Sequence, residues 1–199
     1  MKLTLVRHGQ TESNMQRILE GNRQGQLTVK GKEQAKKVGE RLKEEQYDFI
    51  YISDLQRAKQ TAQEILKFHE TEEIIYTEKI RERKWGELEG KSYAELSSVK
   101  QQLHFAKHKP KEGETFEELQ KRIVTFYEEL LAKHQGKRVL VIAHAGVIGA
   151  LLLHLLEKES TREEYLKVHP KNTAITVLEI SDDKQHKVYV LNCINHLDT

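Results

Sequence analysis

The sequence has 199 residues, a length that suits one domain with a single hydrophobic core. Its 33 lysines and arginines nearly balance its 31 aspartates and glutamates, which argues against a dedicated nucleic-acid binder, because such domains are usually strongly basic. The single cysteine, Cys193, excludes an intrachain disulfide and favours a reducing compartment. No apolar run is long enough to span a bilayer, and Arg7 and His8 interrupt the first apolar run, so we expect a cytoplasmic protein without a membrane partner.

The first part of the chain is predicted to alternate between strands and helices. An apolar strand at residues 3–6 leads into a loop, and Thr28 then caps a helix with apolar residues on one face. A second strand at residues 49–52 precedes a helix that we expect to begin at Ser53, because Ser53 and Gln56 have the spacing of a capping box. This alternation is typical of a parallel sheet whose strands are joined by helices.

The middle of the chain continues the pattern after a more polar segment. A third strand is expected at residues 73–77, and residues 78–115 look like an insertion over the sheet. Capping-box spacings predict helix starts at Ser92 and Thr115. The continuous apolar run at residues 138–143 indicates an interior parallel strand, the fourth of the chain.

A leucine-rich helix should follow to residue 156, and two late strands, at residues 174–180 and 187–191, flank residues 182–184 as in a hairpin. We therefore expect an α/β fold: a single-domain three-layer α/β/α sandwich with a mostly parallel sheet and helices on both faces. Residues 1–199 should form one domain, because no linker or repeat divides them.

Two histidines stand directly after predicted strands. His8 follows the first strand, and His144 follows the fourth. Open α/β sheets bind ligands at the carboxyl ends of their strands, so the two imidazoles should share one crevice if these strands are parallel neighbours. Arg7 and Arg57, the latter in the first turn of a helix, would add two guanidinium groups. Such a cluster suits a phosphoryl group, because the arginine fork matches phosphate oxygens.

Other interpretations of these residues exist. Histidine is also the commonest transition-metal ligand, although neighbouring arginines would repel a cation. An isolated Arg-His pair is usually surface charge, and His144 alone could be a hydrogen-bonded core residue. His104 and His108 are spaced to share a helix face, but no third metal ligand accompanies them, so we expect solvated side chains.

Five segments, in order along the chain, resemble the motifs of the histidine phosphatase superfamily, also called the phosphoglycerate mutase-like family. They are residues 5–14 (LVRHGQTESN), 27–35 (LTVKGKEQA), 53–62 (SDLQRAKQTA), 82–90 (ERKWGELEG) and 141–148 (VIAHAGVI). The resemblance covers nearly the whole chain and implies a phosphoglycerate mutase-like fold. It also implies phosphoryl transfer through a phosphohistidine.

The resemblance implies a role for each matching residue. His8 would be the nucleophile, and Glu82 would be the general acid and base. The phosphoryl oxygens would be held by Arg7, Arg57, His144 and Asn14. The remaining contacts to the substrate would come from Ala145, Glu20 and Gly21. The resemblance implies no metal and no cofactor, and the expected partner is a small phosphorylated metabolite.

Three functions stay open at this point: a phosphatase for small phosphate monoesters, a phosphoglycerate mutase, and a catalytically silent binding module. The complete catalytic set disfavours the third. The short, lysine-rich stretch between Glu82 and His144 favours the phosphatase over the mutase, because family mutases generally carry longer inserts there. Ser13, Gly25 and Gln26 depart from the common pattern, which bears on specificity rather than on chemistry.

Overall fold

Residues 1–70, 73–96, 106–181 and 185–198 are described by a computed structural model, and within them six strands and six α-helices occur. The strands are β1 (Lys2–Arg7), β2 (Phe49–Ser53), β3 (Ile74–Thr77), β4 (Arg138–Ala143), β5 (Ile175–Ile180) and β6 (His186–Cys193). The helices are α1 (Glu12–Met15), α2 (Val29–Leu42), α3 (Gln56–Ile65), α4 (Phe116–Lys133), α5 (Ala145–Leu155) and α6 (Arg162–Val168). None of these helices is long and apolar enough to cross a membrane.

The strands form one sheet in the order β3-β2-β4-β1-β5-β6. β1 and β4 are parallel neighbours, and Arg7 at the end of β1 lies opposite Ala143 at the end of β4. The expected adjacency of the two histidine-bearing strands is therefore confirmed. β5 and β6 pair antiparallel, as predicted, while the expected turn at residues 182–184 lies outside the described residues.

Helices cover both faces of the sheet, which confirms the three-layer architecture. Alternate residues of a strand point to opposite faces of the sheet. The side chains of the central strand β4 therefore pack alternately into two hydrophobic cores, one on each face. Val139 and Val141 pack with side chains of α4 and α5. Leu140 and Ile142 pack with side chains of α2 and α3. Burial on both faces explains why this strand is apolar without alternation.

Most predicted helix starts agree with the structure, but one is wrong. The Thr28 hydroxyl accepts from Gly31 N at 2.9 Å, and Thr115 forms a full capping box with Glu118. Ser53, in contrast, is the last residue of β2, and α3 begins after an N-cap at Leu55 that uses no side chain. Ser53 instead lies 2.7 Å from Nε2 of His144 through its hydroxyl, and it is still in extended strand conformation two residues before the N-cap.

The region expected as an insertion contributes no strand in its described parts, residues 78–96 and 106–115. Reciprocal bonds between Ser92 and Glu95 form the predicted capping box, but residues 97–105 lie outside the described part. Helix α6 was not predicted from the sequence. Thr161 caps it by accepting from Glu164 N, a spacing that could have revealed the helix.

Candidate active site

His8 and His144 meet at the carboxyl ends of β1 and β4. Their ring centroids are 5.2 Å apart, and the His8 backbone N–H donates to the carbonyl of Ala143 at 3.0 Å. Both side chains are buried, with 3% and 0% of their surface exposed. The strand register thus places two imidazoles against each other in a nearly dry environment.

The hydrogen bonds of His8 define its tautomer. Its Nδ1 lies 2.7 Å from the carbonyl oxygen of Gly9, which can only accept, so Nδ1 carries the proton. Nε2 therefore keeps its lone pair, and it accepts from Arg57 Nε at 3.3 Å. Burial, together with the positive charges of Arg57 and Arg7, holds the pKa of His8 well below its ordinary value. At neutral pH His8 is a neutral imidazole whose Nε2 carries no proton.

The turn after His8 requires a glycine. A Cβ on Gly9 would collide with the backbone carbonyl of Gly31 in α2, so a larger residue would push the turn away from that helix. Gly9 N also donates to the hydroxyl of Thr61 at 3.0 Å. These contacts fix the carbonyl that holds Nδ1 of His8, and so they orient the imidazole.

His144 is oriented by Ser53, the residue that the sequence pattern misassigned. Ser53 Oγ accepts from the backbone N–H of Leu55 at 3.4 Å and lies 2.7 Å from Nε2 of His144, to which it can donate its own proton. The imidazole proton then resides on Nδ1, which is buried and has no hydrogen-bond partner among the described residues. Burial and the charge of Arg57 hold the pKa of His144 well below its ordinary value. His144 is thus a neutral donor beside His8.

Two guanidinium groups are fixed by backbone carbonyls rather than by strong carboxylate forks. Arg57 is 1% exposed, and it donates through Nη1 to Arg23 O at 2.9 Å and through Nη2 to Gly21 O at 2.7 Å. Arg7 donates through Nη1 to Pro170 O at 2.8 Å. Backbone carbonyls thus fix both side chains, while Nε of Arg57 also lies 3.5 Å from Oε2 of the buried Glu20, which offsets part of its positive charge.

Asn14 presents its amide nitrogen to the same place. The carbonyl oxygen Oδ1 accepts from Thr11 N at 3.3 Å and from Asn172 Nδ2 at 3.0 Å. Asn172 also donates to the carbonyl of His8 at 3.1 Å. Because both bonds occupy Oδ1, the donor Nδ2 of Asn14 is turned the other way. Nothing in the sequence around Asn172 pointed to this supporting role.

Glu82 is held by two backbone amides. Its Oε1 accepts from Arg83 N at 2.7 Å, and its Oε2 accepts from Gly146 N at 3.1 Å. Gly146 lies in the first turn of α5, where the helix dipole favours a negative charge. A carboxyl group is thereby fixed near the histidines at a position where it can exchange protons with a bound molecule.

A cavity of about 290 Å³ opens beside these groups. Eight of the nine residues expected in the site line it, namely Arg7, His8, Asn14, Glu20, Gly21, Arg57, Glu82 and Ala145. His144, the ninth, is fully buried next to His8 and is not part of the lining. Much of the lining is apolar or aromatic, and we call six of these residues the apolar wall: Ile18, Trp85, Leu88, Tyr93, Tyr165 and Leu166.

The sequence motifs missed several cavity residues. The cavity is also lined by Arg162, Tyr165 and Leu166 of α6 and by His169, which follows this helix. His169 lies outside every motif. Arg83 is 3% exposed, stacks 3.9 Å over the ring of Trp85 and donates to the carbonyl of His108 at 2.8 Å.

The expected solvated pair His104 and His108 is only partly described. His108 is half-buried and lines the cavity, whereas His104 lies outside the described residues. Throughout the described part of the chain, no group of three or more histidine, cysteine, aspartate or glutamate side chains is arranged to hold a metal ion.

Known proteins share this sequence and fold. Residues 3–193 match the family model of the histidine phosphatase superfamily, branch 1. A probable phosphatase of Schizosaccharomyces pombe is 33% identical over an alignment of 205 positions that covers 100% of this chain and 96% of that protein. A metal-independent phosphoserine phosphatase of Arabidopsis thaliana is 33% identical, over 92% of this chain and 78% of its own length.

A solved phosphatase structure has the same fold. The phosphoserine phosphatase of Entamoeba histolytica in complex with 3-phosphoglyceric acid has a TM-score of 0.85 and 29% identity, over 98% of both chains. Bacterial 2,3-bisphosphoglycerate-dependent phosphoglycerate mutases also occur among the relatives. The chain belongs to branch 1 of the histidine phosphatase superfamily, and it is a phosphatase.

Proposed function

We propose that this phosphatase hydrolyses small phosphate monoesters through a phosphohistidine on Nε2 of His8. The observation that carries the proposal is the state of that nitrogen. Nε2 is unprotonated because Nδ1 donates to Gly9 O, and its lone pair accepts only the long 3.3 Å hydrogen bond from Arg57 Nε inside the cavity. A neutral imidazole among cations can attack an electron-poor phosphorus, and it becomes cationic only as the new bond forms.

In the first step, Nε2 of His8 attacks the phosphorus while the bond to the leaving oxygen breaks. Arg7 and Arg57 stabilise the charge on the non-bridging oxygens, with Asn14 Nδ2 and His144 Nδ1 as further donors. Glu82 gives its proton to the departing alkoxide, which leaves as an alcohol.

In the second step, water hydrolyses the phosphohistidine. Glu82, now a carboxylate, takes a proton from the water as its oxygen attacks phosphorus, and the N–P bond breaks. His8 recovers its lone pair, Glu82 recovers its proton, and inorganic phosphate leaves. The residues thus return to their starting states after one turnover.

The walls of the cavity indicate which leaving groups fit. The phosphoryl group would lie against His8, Arg57 and Gly21, and the alcohol would extend along the apolar wall. Burial of apolar surface contributes about 25 cal/mol per Å². We therefore propose small phosphorylated metabolites as substrates, with a preference for alcohols that carry apolar surface.

Two broader assignments belong to the same proposal. Residues 1–199 form one domain, which is supported by a single sheet that takes strands from Lys2 to Cys193. The protein works in the cytoplasm without a metal or cofactor. The free thiol of the half-buried Cys193 suits a reducing compartment, and the arginines supply positive charge at the site.

The phosphohistidine is tested by trapping. The wild type, His8→Ala and the control His154→Ala are mixed with ³²P-labelled substrate and quenched rapidly. His154 lies in α5 and is exposed. We expect acid-labile, base-stable label on the wild type and on His154→Ala, and none on His8→Ala. Undiminished label on His8→Ala would remove His8 from the nucleophilic role.

Hydrolysis and isomerisation differ in what happens to the phosphoenzyme, and measuring the products of 3-phosphoglycerate distinguishes them. A phosphorus NMR time course with 3-phosphoglycerate, with and without 2,3-bisphosphoglycerate, follows inorganic phosphate and 2-phosphoglycerate together. We expect phosphate to form faster than 2-phosphoglycerate in both conditions. Isomerisation that outpaces hydrolysis once the bisphosphate is added would identify a mutase.

A further inference from the structure

Two loops contribute to the lining of the cavity, and they are bonded to each other. The first loop comprises residues 17–24, between α1 and α2, and the second comprises residues 85–93. Leu19 N donates to the carbonyl of Lys91 at 2.9 Å, and Gly90 N donates to the carbonyl of Leu19 at 2.8 Å. The position of one loop relative to the other therefore shapes the space in which a substrate lies.

The side chain of Glu89 joins the two loops at a further point. Its Oε1 accepts from the backbone N–H of Asn22 at 3.1 Å and from that of Trp85 at 3.0 Å. Gly21 permits this close approach, because it has a positive φ of 55° and a Cβ there would collide with the Glu89 carboxylate. Glu89 is half-buried and is not part of the cavity lining, so it does not itself contact a bound substrate.

Arg57 depends on the same stretch of the first loop. Its two terminal nitrogens donate to the carbonyls of Gly21 and Arg23, the residues on either side of Asn22. Glu89 thus holds the residue between the two acceptors that orient the guanidinium. Electrostatic stabilisation of an anion needs donors that are fixed before the anion arrives, so a looser loop would weaken the contribution of Arg57.

Trp85 depends on the other hydrogen bond of Glu89. Its ring belongs to the apolar wall and lies 3.9 Å from the guanidinium of Arg83, the residue after Glu82. The bond from Trp85 N to Glu89 therefore ties the segment that carries Glu82 and part of the apolar wall to the first loop.

We propose that Glu89 is a positioning residue, which uses one carboxylate oxygen to hold Arg57 and the apolar wall in a fixed arrangement. This inference rests on the proposed function, which places the phosphoryl group against Arg57 and the leaving alcohol along the wall. A purely electrostatic role of Glu89 would have the opposite sign. Its negative charge acts on Arg57, so removal of that charge alone would strengthen the binding of an anion.

The affinity for tungstate separates the two roles, because tungstate is a tetrahedral dianion whose binding requires no turnover. Calorimetry compares the wild type with Glu89→Ala and Glu89→Gln. The control is Glu87→Ala, which removes an exposed carboxylate of the same segment that accepts from Lys111 N at 3.4 Å.

We expect Glu89→Ala to bind tungstate about tenfold more weakly than the wild type, which is the effect of about one lost hydrogen bond. Glu89→Gln keeps an acceptor at Oε1 and loses the charge, so it should bind at least as tightly as the wild type, and Glu87→Ala should match the wild type. Unchanged or stronger binding by Glu89→Ala would overturn the proposal, as would an equal loss in Glu89→Gln.

The fluorescence of Trp85 reports on the second bond, since it is the single tryptophan of the chain. Acrylamide should quench the emission of Glu89→Ala more strongly than that of the wild type or Glu89→Gln, because the released loop exposes the ring. Equal quenching in the wild type and Glu89→Ala would also overturn the inference.

Glu89→Asp replaces Glu89→Ala if the alanine variant does not fold. The aspartate keeps the charge, but its side chain is one methylene too short to reach both amides, so weaker tungstate binding is expected here too. Wild-type affinity in Glu89→Asp would contradict the positioning role. All these readouts measure binding or exposure, so a failure of the trapping experiment at His8 would overturn the proposed mechanism without affecting them.

Discussion

Ser53 and His144 are joined by a 2.7 Å hydrogen bond between Oγ and Nε2, across the neighbouring strands β2 and β4. When Ser53 donates in this bond, the imidazole proton of His144 resides on Nδ1. His144 can therefore donate to a phosphoryl oxygen while it remains neutral. A serine that looks like a helix cap in the sequence thus determines the tautomer of a catalytic candidate.

Replacing Ser53 with alanine should lower kcat about tenfold while changing KM much less. The lost bond is worth about 1–1.5 kcal/mol, and it supports a contact to charge that develops in the transition state. The imidazole ¹⁵N shifts of His144 should show a mixture of tautomers. Ser92→Ala, which removes a surface capping serine, is the control. An unchanged ¹⁵N spectrum in Ser53→Ala would contradict the assigned role.

Replacing Glu82 with glutamine should harm alkyl phosphates more than p-nitrophenyl phosphate. An alkoxide needs a proton to leave, whereas nitrophenolate does not, and the loss of a general acid typically costs about a hundredfold to ten-thousandfold. The ratio of kcat/KM for the two substrates is the measurement. Any loss of the backbone bonds to Arg83 and Gly146 affects both substrates alike, so an unchanged ratio would leave Glu82 with a structural role only.

The buried histidines should make the fold less stable in acid. The pKa values of His8 and His144 are lowered by burial and by Arg57, so below pH 6.5 the unfolded chain binds protons that the folded chain does not. The free energy of unfolding should therefore fall as the pH falls, by up to about 1.4 kcal/mol per pH unit for each histidine.

Urea unfolding at several pH values between 7.5 and 5.5 checks this expectation. His144→Gln should show a shallower dependence on pH than the wild type, because one of the two groups no longer titrates. His154→Gln, which changes an exposed histidine, should retain more of the wild-type slope. A His144→Gln slope as steep as that of the wild type would be evidence against the depressed pKa.

The apolar wall should determine the preference for leaving groups. Leu166 lines the cavity and is 61% exposed, so Leu166→Ser should alter the wall with little effect on folding. Removing a leucine contact worth about 1 kcal/mol should lower kcat/KM for phenyl phosphate about fivefold. Leu191→Ser, on the exposed face of β6, is the matched control. Equal losses for phenyl phosphate and glycerol phosphate would mean that the wall does not contact the leaving group.

The sequence alone determined the strands, their alternation with helices and the position of both histidines. These features depend on local patterns. An apolar run such as residues 138–143 is typical of an interior strand, and a polar residue directly after such a strand lies at the edge of the sheet. The first turn of a predicted helix placed Arg57 near the histidines, and the family motifs then identified Glu82, which no periodicity distinguishes from surface charge.

The tertiary structure decided which polar groups support one another. Ser53 and His144 are 91 residues apart, and Asn14 and Asn172 are 158 residues apart, so neither partner is visible in the sequence around the other. Glu20 acquires its unusual environment only because the loop before α2 folds over Arg57. A hydrogen bond or a buried charge is defined by distance and by the exclusion of water, and both are properties of the folded chain rather than of local sequence.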